Sequence, residues 1–412
     1  MLPLAKVCSL FTDGDWIETK DQSPAGIRLI QTGNVGLGEF KDRGNKARFI
    51  SEATFKRLKC QEVYEGDCLV SRLPDPVGRS CIVPSNDATM ITAVDCTILR
   101  FQKDKLSPEF FNYYSQSSQY LADVEAYCTG ATRKRISRIN LGKVHIPLPP
   151  LPEQKHIVTI LNEAFAGIAT AVANTEKNLA NARELFESYL NSVFSQRGEG
   201  WVDLTLKEVC KDYGRGKSKH RPRNDPKLYG GAYPFIQTGD VRNSDHLIRE
   251  YSVTYNEVGL AQSKLWPKGT ICITIAANIA ETGILDFDAC FPDSIIGLVV
   301  DEAKASSAYV EFLLQSVRSI LKAKGKGSAQ DNINLATFEN EKFPFPSLEM
   351  QLAIAGSLQE IRSAVRQLEF IYQQKLNALA ELKQSLLQKA FSGELTADKD
   401  TSDVIRKVEE VA

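Results

Sequence analysis

The sequence contains one long apolar pattern twice, and this repeat limits the possible folds more than any other feature. The first copy opens with PLPPLPEQ at 147–154 and the second with PFPSLEMQ at 344–351, an offset of 197 residues. After each opening, apolar residues recur at steps of three and four for about 40 residues. A narrow apolar stripe of this length is typical of a coiled-coil seam.

Two such helices in one chain are expected to pair with each other. A long helix gains most of its stability from packing its apolar stripe, so neither helix should stay alone in water. Each helix also follows a globular segment. The simplest arrangement is therefore an intramolecular, antiparallel pair of helices.

The globular segments repeat as well. LPLAKVC at 2–8 matches LTLKEVC at 204–210, and IQTGNV at 30–35 matches IQTGDV at 236–241. These ordered matches indicate a tandem duplication with a pseudo-twofold repeat, of class α+β: two globular domains joined by two long antiparallel coiled-coil helices. The predicted boundaries are a globular domain at 1–150, a helix at 151–197, a second globular domain at 198–347, a helix at 348–395 and a polar tail at 396–412.

Bulk composition favours an ordinary soluble protein. The chain has 412 residues, a formal net charge of −1 and nine scattered cysteines without a CxxC pair, which argues for reduced thiols. No leading apolar segment and no uninterrupted apolar run of membrane-spanning length is present, so we expect a cytoplasmic protein with no membrane partner. With so little net charge, any surface that binds anions must arise from local clustering.

Basic residues do cluster locally in both globular segments. Phosphate contacts need cations, and base edges are read by Arg, Lys, Asn and Gln. The clusters therefore predict contact with nucleic acid, and a solvated loop is the alternative for any one cluster taken singly. The candidate residues are Arg133, Lys134, Arg135 and Arg138 in the first segment and Arg215, Lys217, Lys219, Arg221, Lys324 and Lys326 in the second.

The two QTG turns carry a second, weaker signal. Gln31 and Asn34 follow an apolar run in the first copy, and Gln237 follows one in the second. Their amides could reach base edges, and the alternative is a tight turn that needs glycine for its backbone. Recurrence in both copies favours shared architecture over shared specificity.

The sequence motifs give little support for a catalytic site. Gly216-Lys217-Ser218 imitates the end of a phosphate-binding loop, but the required earlier glycine is Lys211. Asp293 and Glu302 resemble part of a metal-dependent nuclease site, although the first copy has no matching set. Four histidines without cysteine partners at ligand spacing argue against a metal site or a triad. We therefore predict no catalytic residue, no metal and no cofactor bound by this chain.

The whole arrangement resembles the specificity subunit of type I restriction-modification systems. The opening PLPPLPEQ is a strong mark of that family, and PFPSLEMQ is a degenerate copy in register. The resemblance implies that both globular segments are target-recognition domains, each reading half of an asymmetric, bipartite DNA site. It also implies that the helices set the spacing and dock two methyltransferase subunits, to which restriction and translocase subunits bind. S-adenosylmethionine, ATP and Mg would then belong to those partners.

The outward faces of the helices are the expected methyltransferase interface. The candidate residues are Glu153, Gln154, Glu184 and Gln351. A different class of function remains as the alternative, namely a structural adaptor with a coiled coil and two protein-binding heads. Specific binding to duplex DNA separates the two.

Overall fold

The computed structural model describes residues 1–86, 88–130, 132–276, 279–320 and 341–397. The chain divides into two compact units. Unit 1 comprises Met1–Lys177 with Tyr372–Ala412, and unit 2 comprises Asn178–Ile371. Each long helix therefore starts in one unit and ends in the other.

Among the described residues, the globular part of unit 1 has three antiparallel or mixed sheets and four short α-helices. A four-stranded sheet has the order β2-β10-β7-β8, a five-stranded sheet has the order β3-β5-β4-β9-β6, and β1 pairs with β11. The strands are β1 (Leu2–Pro3), β2 (Cys8–Asp13), β3 (Gln22–Ser23), β4 (Ile27–Ile30), β5 (Arg48–Ile50), β6 (Glu62–Val63), β7 (Cys68–Ser71), β8 (Ser80–Ile82), β9 (Met90–Thr92), β10 (Cys96–Phe101) and β11 (His145–Ile146). The helices are α1 (Glu52–Leu58), α2 (Pro108–Tyr114), α3 (Ser118–Ala126) and α4 (Arg138–Leu141).

Unit 2 contains the second copy of this plan. Its sheets have the orders β13-β21-β18-β19-β15, β16-β14-β20-β17 and β12-β22. The strands are β12 (Val202–Thr205), β13 (Cys210–Arg215), β14 (Tyr229–Phe235), β15 (Leu247–Ile248), β16 (Val253–Tyr255), β17 (Leu265–Trp266), β18 (Ile271–Thr274), β19 (Thr282–Leu285), β20 (Ala289–Cys290), β21 (Ile295–Val300) and β22 (Lys342–Phe345). The helices are α6 (Thr238–Asn243), α7 (Glu257–Ala261) and α8 (Ser307–Ser316).

The pairing of strands follows the duplication. β2 lies antiparallel to β10 as β13 lies antiparallel to β21, and β4 runs parallel to β9 as β14 runs parallel to β20. Ser107 caps α2, the helix that follows β10: its hydroxyl accepts the N–H of Phe110, and Pro108 occupies the first turn. The repeated order of sequence motifs thus corresponds to a repeated order of strands.

The long helices are α5 (Leu151–Ser195) and α9 (Leu348–Ser392), each 45 residues long. In unit 1 the first half of α5 shares a core with the last part of α9, through residues such as Ile157, Leu161 and Leu386. In unit 2 the last part of α5 shares a core with the start of α9, through Leu190 and Leu358. A start packed against an end in both units makes the pair antiparallel, which confirms the predicted fold class.

By length and composition, α5 is the one helix among the described residues that is apolar enough to cross a membrane, with a mean hydropathy of 1.4 over an 18-residue window. Its stripe residues Ile157, Leu161 and Ile168 instead lie in the core of unit 1, each no more than 5% exposed. A core helix of a soluble protein meets the same criteria of length and composition.

All nine cysteines are free thiols. Burial raises the pKa of Cys8 to about 12 and that of Cys96 to about 11. Because the thiolate is the reactive form, these groups are inert at neutral pH. The seven buried thiols therefore pack as small apolar side chains.

Candidate nucleic-acid interface

The basic segment of the first copy lies just before and within α4. Ser137 starts this helix, because its hydroxyl accepts the N–H of Asn140 at 3.2 Å. Arg133, Lys134 and Arg135 precede it on the surface, and Arg138 in its first turn is half-buried. The cap therefore fixes where α4 begins, and the three cations before it are exposed.

Acidic residues from other elements pair with most of these cations. Lys134 contacts Glu125, Arg135 Nη2 lies 3.1 Å from Asp95 Oδ1, and Arg138 Nε lies 3.6 Å from Asp13 Oδ2. The sequence window that contained the cluster held no acid, so its charge was overestimated. Exposed ion pairs of this kind contribute under about 1 kcal/mol, so a phosphate could replace the carboxylates. Arg133 has no ion pair among the described residues.

A buried arginine that sequence reasoning missed supports this segment. Arg72 follows β7, its side chain is 5% exposed, and its Nε lies 3.3 Å from Asp13 Oδ1. Burial lowers the pKa of Arg72, and the nearby Asp13 carboxylate partly opposes that effect. Asp13 therefore lies between Arg72 and Arg138 and contacts both. Nothing in the sequence around Arg72 distinguishes it from a surface residue.

The basic segment of the second copy surrounds the end of β13. Arg215 Nε donates to the Asp293 carbonyl at 2.8 Å, and Arg221 Nη1 donates to the carbonyls of Ser218 and His220. These arginines are therefore held against the backbone. Lys217 and Lys219 are exposed, and neither side chain has a partner within the described part of the chain. Two exposed ammonium groups two residues apart in the sequence are well suited to phosphate contact.

Asp293 and Glu302, the acids considered for a nuclease site, form hydrogen bonds with other residues of the domain. Arg223 Nη2 donates to both Asp293 carboxylate oxygens at 2.8 Å, and Glu302 accepts the N–H of Ser307 at 3.3 Å. Among the residues that the structure describes, no group of three or more His, Cys, Asp or Glu could hold a metal ion. The nuclease interpretation therefore finds no support in the geometry.

The QTG turns differ in what they present. Asn34 is 6% exposed, accepts the N–H of Gln31 and donates to the Lys41 carbonyl at 2.8 Å. This placement contradicts a base contact by Asn34, because its amide already stabilises the turn. Gln31 is half-buried, whereas Gln237 is exposed. Lys324 and Lys326 lie outside the described residues.

Two of the four residues expected at the methyltransferase interface are internal. Gln154 is fully buried, accepts the N–H of Ser107 and donates to the carbonyls of Lys105 and Pro149. Gln351 is 1% exposed, accepts the N–H of Ser306 and donates to the Pro346 carbonyl. The expectation that they face outward was wrong, because each glutamine fastens the start of a long helix to its own globular part.

The other two interface candidates remain accessible. Glu184 is exposed on α5. Glu153 is half-buried, and one of its carboxylate oxygens accepts from the Thr396 hydroxyl at 3.4 Å. Thr396 lies in α10 (Glu394–Ala397), the last described helix.

Replacing Gln154 with leucine should lower the free energy of unfolding of unit 1 by about 1–3 kcal/mol, because the Ser107 N–H and two carbonyls lose their partner. Gln351→Leu should cost unit 2 a similar amount. Urea unfolding followed by circular dichroism measures both. The exposed neighbour Lys155 serves as the control, since Lys155→Leu should change stability by no more than about 0.5 kcal/mol. Equal effects of Gln154→Leu and Lys155→Leu would rule out the fastening role.

A buried ionic network occupies the core of unit 2. Glu311 in α8 is fully buried; its carboxylate lies 2.6 Å from His246 Nδ1 and accepts the Thr282 hydroxyl at 2.8 Å. Arg362 of α9 approaches it at 4.0 Å and lies over the ring of Phe312. Burial alone would raise the pKa of Glu311, but His246, Arg362 and Thr282 together hold that pKa below its ordinary value.

Comparison with known proteins identifies both copies. The model of the family described as "Type I restriction modification DNA specificity domain" matches residues 30–179 and 198–378. The protein of Methanocaldococcus jannaschii assigned as the MjaX type I restriction enzyme specificity subunit is 24% identical over 366 residues, covering 84% of this chain and 82% of that protein. The EcoBI specificity subunit of Escherichia coli is 24% identical over 332 residues, with 73% and 68% coverage.

Solved structures share the fold. A chain from a structural study of complex assembly and conformational transition of the type I R-M system aligns with a TM-score of 0.80 at 19% identity, covering 96% of this chain and 97% of the other. The HsdS subunit from Thermoanaerobacter tengcongensis aligns with a TM-score of 0.62 at 19% identity, with 96% coverage of both. The two-copy architecture is therefore that of these proteins.

Proposed function

The chain belongs to the type I restriction modification DNA specificity family, and from this premise we propose that it reads an asymmetric, bipartite DNA site with one globular part on each half. It is the DNA-specificity component of such a system and not the catalyst. The observation that carries the proposal is the match of the family to both copies, since two unlike readers in one chain suit two unlike half-sites.

We assign the reading to target-recognition domains at 1–150 and 198–347, and the spacing to the helices at 151–197 and 348–395. Within the domains, we assign phosphate contacts to three exposed cations that have no ion pair among the described residues: Arg133 in the first domain, and Lys217 and Lys219 in the second. Arg135 and Arg138 would exchange their carboxylates for phosphate, and Gln237 is accessible for a base edge. Phosphate contacts position the protein, whereas base contacts specify the sequence.

DNA and other restriction-modification subunits are the partners. We propose two methyltransferase subunits that bind the helices near Glu153 and Glu184, followed by restriction and translocase subunits. S-adenosylmethionine, ATP and Mg would be bound by those subunits, and methylation would require the target base to leave the duplex in the methyltransferase. We place the assembly in the cytoplasm.

The experiment that tests this function is a salt-dependent gel shift on duplex DNA, with and without a cognate methyltransferase. A specific shift that weakens steeply with salt supports the proposal. A structural adaptor would give no specific shift in either case. Methylation profiling of cells that carry the chain and its methyltransferase would then identify the two half-sites.

Lengthening both long helices should lengthen the unread DNA between the half-sites. Seven residues inserted after Lys177 and seven after Ile371 preserve the apolar register and add about 10 Å, since each residue rises about 1.5 Å. At about 3.4 Å per base pair, the spacer should grow by roughly three base pairs. Selection of bound sites from a random library measures it.

The matched control inserts seven residues into α5 alone. This variant should lose binding, because the two helices would no longer match in length. If the spacer is unchanged in the protein with both helices lengthened, the helices do not set the distance between the half-sites.

A further inference from the structure

The first domain contains an exposed basic segment at 41–48, between its QTG turn and β5. Five of these eight residues are charged and exposed: Lys41, Asp42, Arg43, Lys46 and Arg48. Asp42 pairs with Arg28 of β4 at 2.6 Å, and Lys41 lies 3.4 Å from Glu39. Arg43, Lys46 and Arg48 form no ion pair with any residue that the structure describes. Three exposed cations of this short segment are therefore available to a negatively charged partner.

Hydrogen bonds fix the backbone on both sides of Arg43. The Lys41 N–H donates to the Asn34 carbonyl at 2.8 Å, and the Asn34 side-chain amide donates to the Lys41 carbonyl at 2.8 Å. On the other side, the Lys46 N–H donates to the Arg43 carbonyl at 2.7 Å. The 41–48 segment is therefore ordered in the free chain, so its binding to a ligand costs little conformational entropy.

Gly33 of the QTG turn leaves the space in which the Arg43 side chain lies. A Cβ atom at position 33 would be 2.1 Å from Arg43 Nη1 and 3.2 Å from its Cζ. The φ angle of Gly33 is outside the left-handed region, so the backbone does not require a glycine. Gly239, the matching residue of the second copy, has open space on that side. The buried Arg79 guanidinium donates to two backbone carbonyls within 32–35, so the turn that supports Arg43 is itself held in place.

The 41–48 segment lies at the same end of the first domain as the cations Arg133–Arg138. β4 and β9 run parallel, so their carboxyl ends share one edge of the sheet. β5 begins at that edge, because it runs antiparallel to β4. Asp95, three residues after the end of β9, contacts Arg135. Both groups of cations are therefore placed to meet the same ligand.

The second copy uses the matching stretch differently. Residues 242–253 contain two basic and two acidic residues, whereas residues 36–48 contain four basic and two acidic residues. Asp245 contacts Arg366 of α9, and His246 bonds to the buried carboxylate of α8. The fold therefore does not need a basic segment here, and the two copies differ where readers of unlike half-sites would have to differ.

We propose that the 41–48 segment binds the first half-site, with Arg43 reading a guanine in the major groove and Lys46 and Arg48 contacting backbone phosphates. This inference rests on the proposed DNA-reading function. An arginine donates two hydrogen bonds at once to O6 and N7 of guanine, which is the commonest specific contact between a side chain and a base. Discrimination between bases needs donors with a fixed direction, and the Arg43 guanidinium has one because it lies against Gly33.

Selection of bound sites from a random duplex library, with the full chain and its methyltransferase, tests the base contact. The unaltered chain should require guanine at one position that Arg43 reads. Arg43→Ala should lower the preference for this guanine by about 10- to 100-fold and leave the other half-site unchanged. Gly33→Ala keeps the charge but displaces the guanidinium, so it should relax the same position without changing the salt dependence of binding.

The phosphate contacts have a separate readout. Lys46→Gln with Arg48→Gln should keep the selected sequence and reduce the slope of log affinity against log salt by about 1.8. The matched control is Lys103→Gln with Lys105→Gln, which removes the same charge from exposed positions of the same domain. The Lys105 carbonyl bonds to Gln154 at the start of α5, away from the 41–48 segment in the sequence, and the control should keep the original slope.

The outcomes separate this inference from the proposed function. An unchanged preference for guanine in Arg43→Ala overturns the base contact, and equal slopes in the two double variants overturn the phosphate contacts. In both cases the unaltered chain still selects a bipartite site, so the proposed function stands. If the unaltered chain selects no site, the proposed function fails and this inference fails with it.

Discussion

Replacing Glu311 with alanine should lower the free energy of unfolding of unit 2 by about 3–5 kcal/mol. The carboxylate is fully buried. It contacts His246, which directly precedes β15, Thr282 of β19 and Arg362 of α9. Its removal leaves Arg362, only 9% exposed, without a compensating charge. Urea unfolding followed by the fluorescence of Trp266, which is fully buried in the same unit, measures the loss.

Two variants separate charge from hydrogen bonding. Glu311→Gln keeps the shape and part of the hydrogen bonding, so its cost should be smaller than that of Glu311→Ala. Asn112, the matching position of the first copy, bonds to Ser80 and to the Gly38 carbonyl without any charge. Asn112→Ala should therefore cost unit 1 only about 1–3 kcal/mol. An equal loss in Glu311→Ala and Asn112→Ala would mean that the ionic network adds nothing.

The same carboxylate gives unit 2 a dependence on pH with a defined sign. The pKa of Glu311 is lower in the folded chain than its ordinary value, so the unfolded chain binds the proton first as the pH falls. Its contribution is therefore present above the ordinary range of a glutamate pKa and disappears as the pH drops through the folded value. In Glu311→Gln this part of the acid sensitivity should be absent.

The scaffold was predictable because its signals are periodic and local. A coiled-coil seam requires apolar residues at steps of three and four, so Ile157, Leu161 and Leu358 reveal it without any knowledge of the fold. The duplicated motifs then gave the number of globular parts. The parallel pairing of β4 with β9 was not predictable, because 59 residues separate Ile30 from Met90 and no short-range pattern links them.

The candidate site was harder to predict from the sequence, because the acids that pair with its basic residues come from distant elements. Asp13, Asp95 and Glu125 pair with three cations of the first basic segment, and none of these acids lies between Arg133 and Arg138 in the sequence. Gln154 and Gln351 were also predicted to lie on the helix surface because they are polar, but both are buried. A buried glutamine is stable when every polar atom is bonded, and such bonding is visible only in three dimensions.

Replacing Lys217 and Lys219 together with glutamine should weaken DNA binding by about 30-fold at 0.15 M salt. Each phosphate contact contributes about 0.9 to the slope of log affinity against log salt, so the slope should fall by about 1.8. Both side chains are exposed and without partners in the described chain, so folding should be unaffected. The loss should be nearly uniform across DNA sequences, since phosphate contacts carry no base information.

The control is Lys207→Gln with Lys342→Gln, which removes the same charge from exposed positions of the same domain next to β12 and β22. Long-range attraction falls equally in both double variants, so only direct phosphate contact can separate their slopes. Fluorescence anisotropy with labelled duplex at several salt concentrations, in the presence of the methyltransferase, measures them. Equal slopes of log affinity against log salt in the two double variants would show that Lys217 and Lys219 do not contact the DNA. The DNA-binding surface of the second domain would then have to include other exposed residues, and Gln237 would be the first to test.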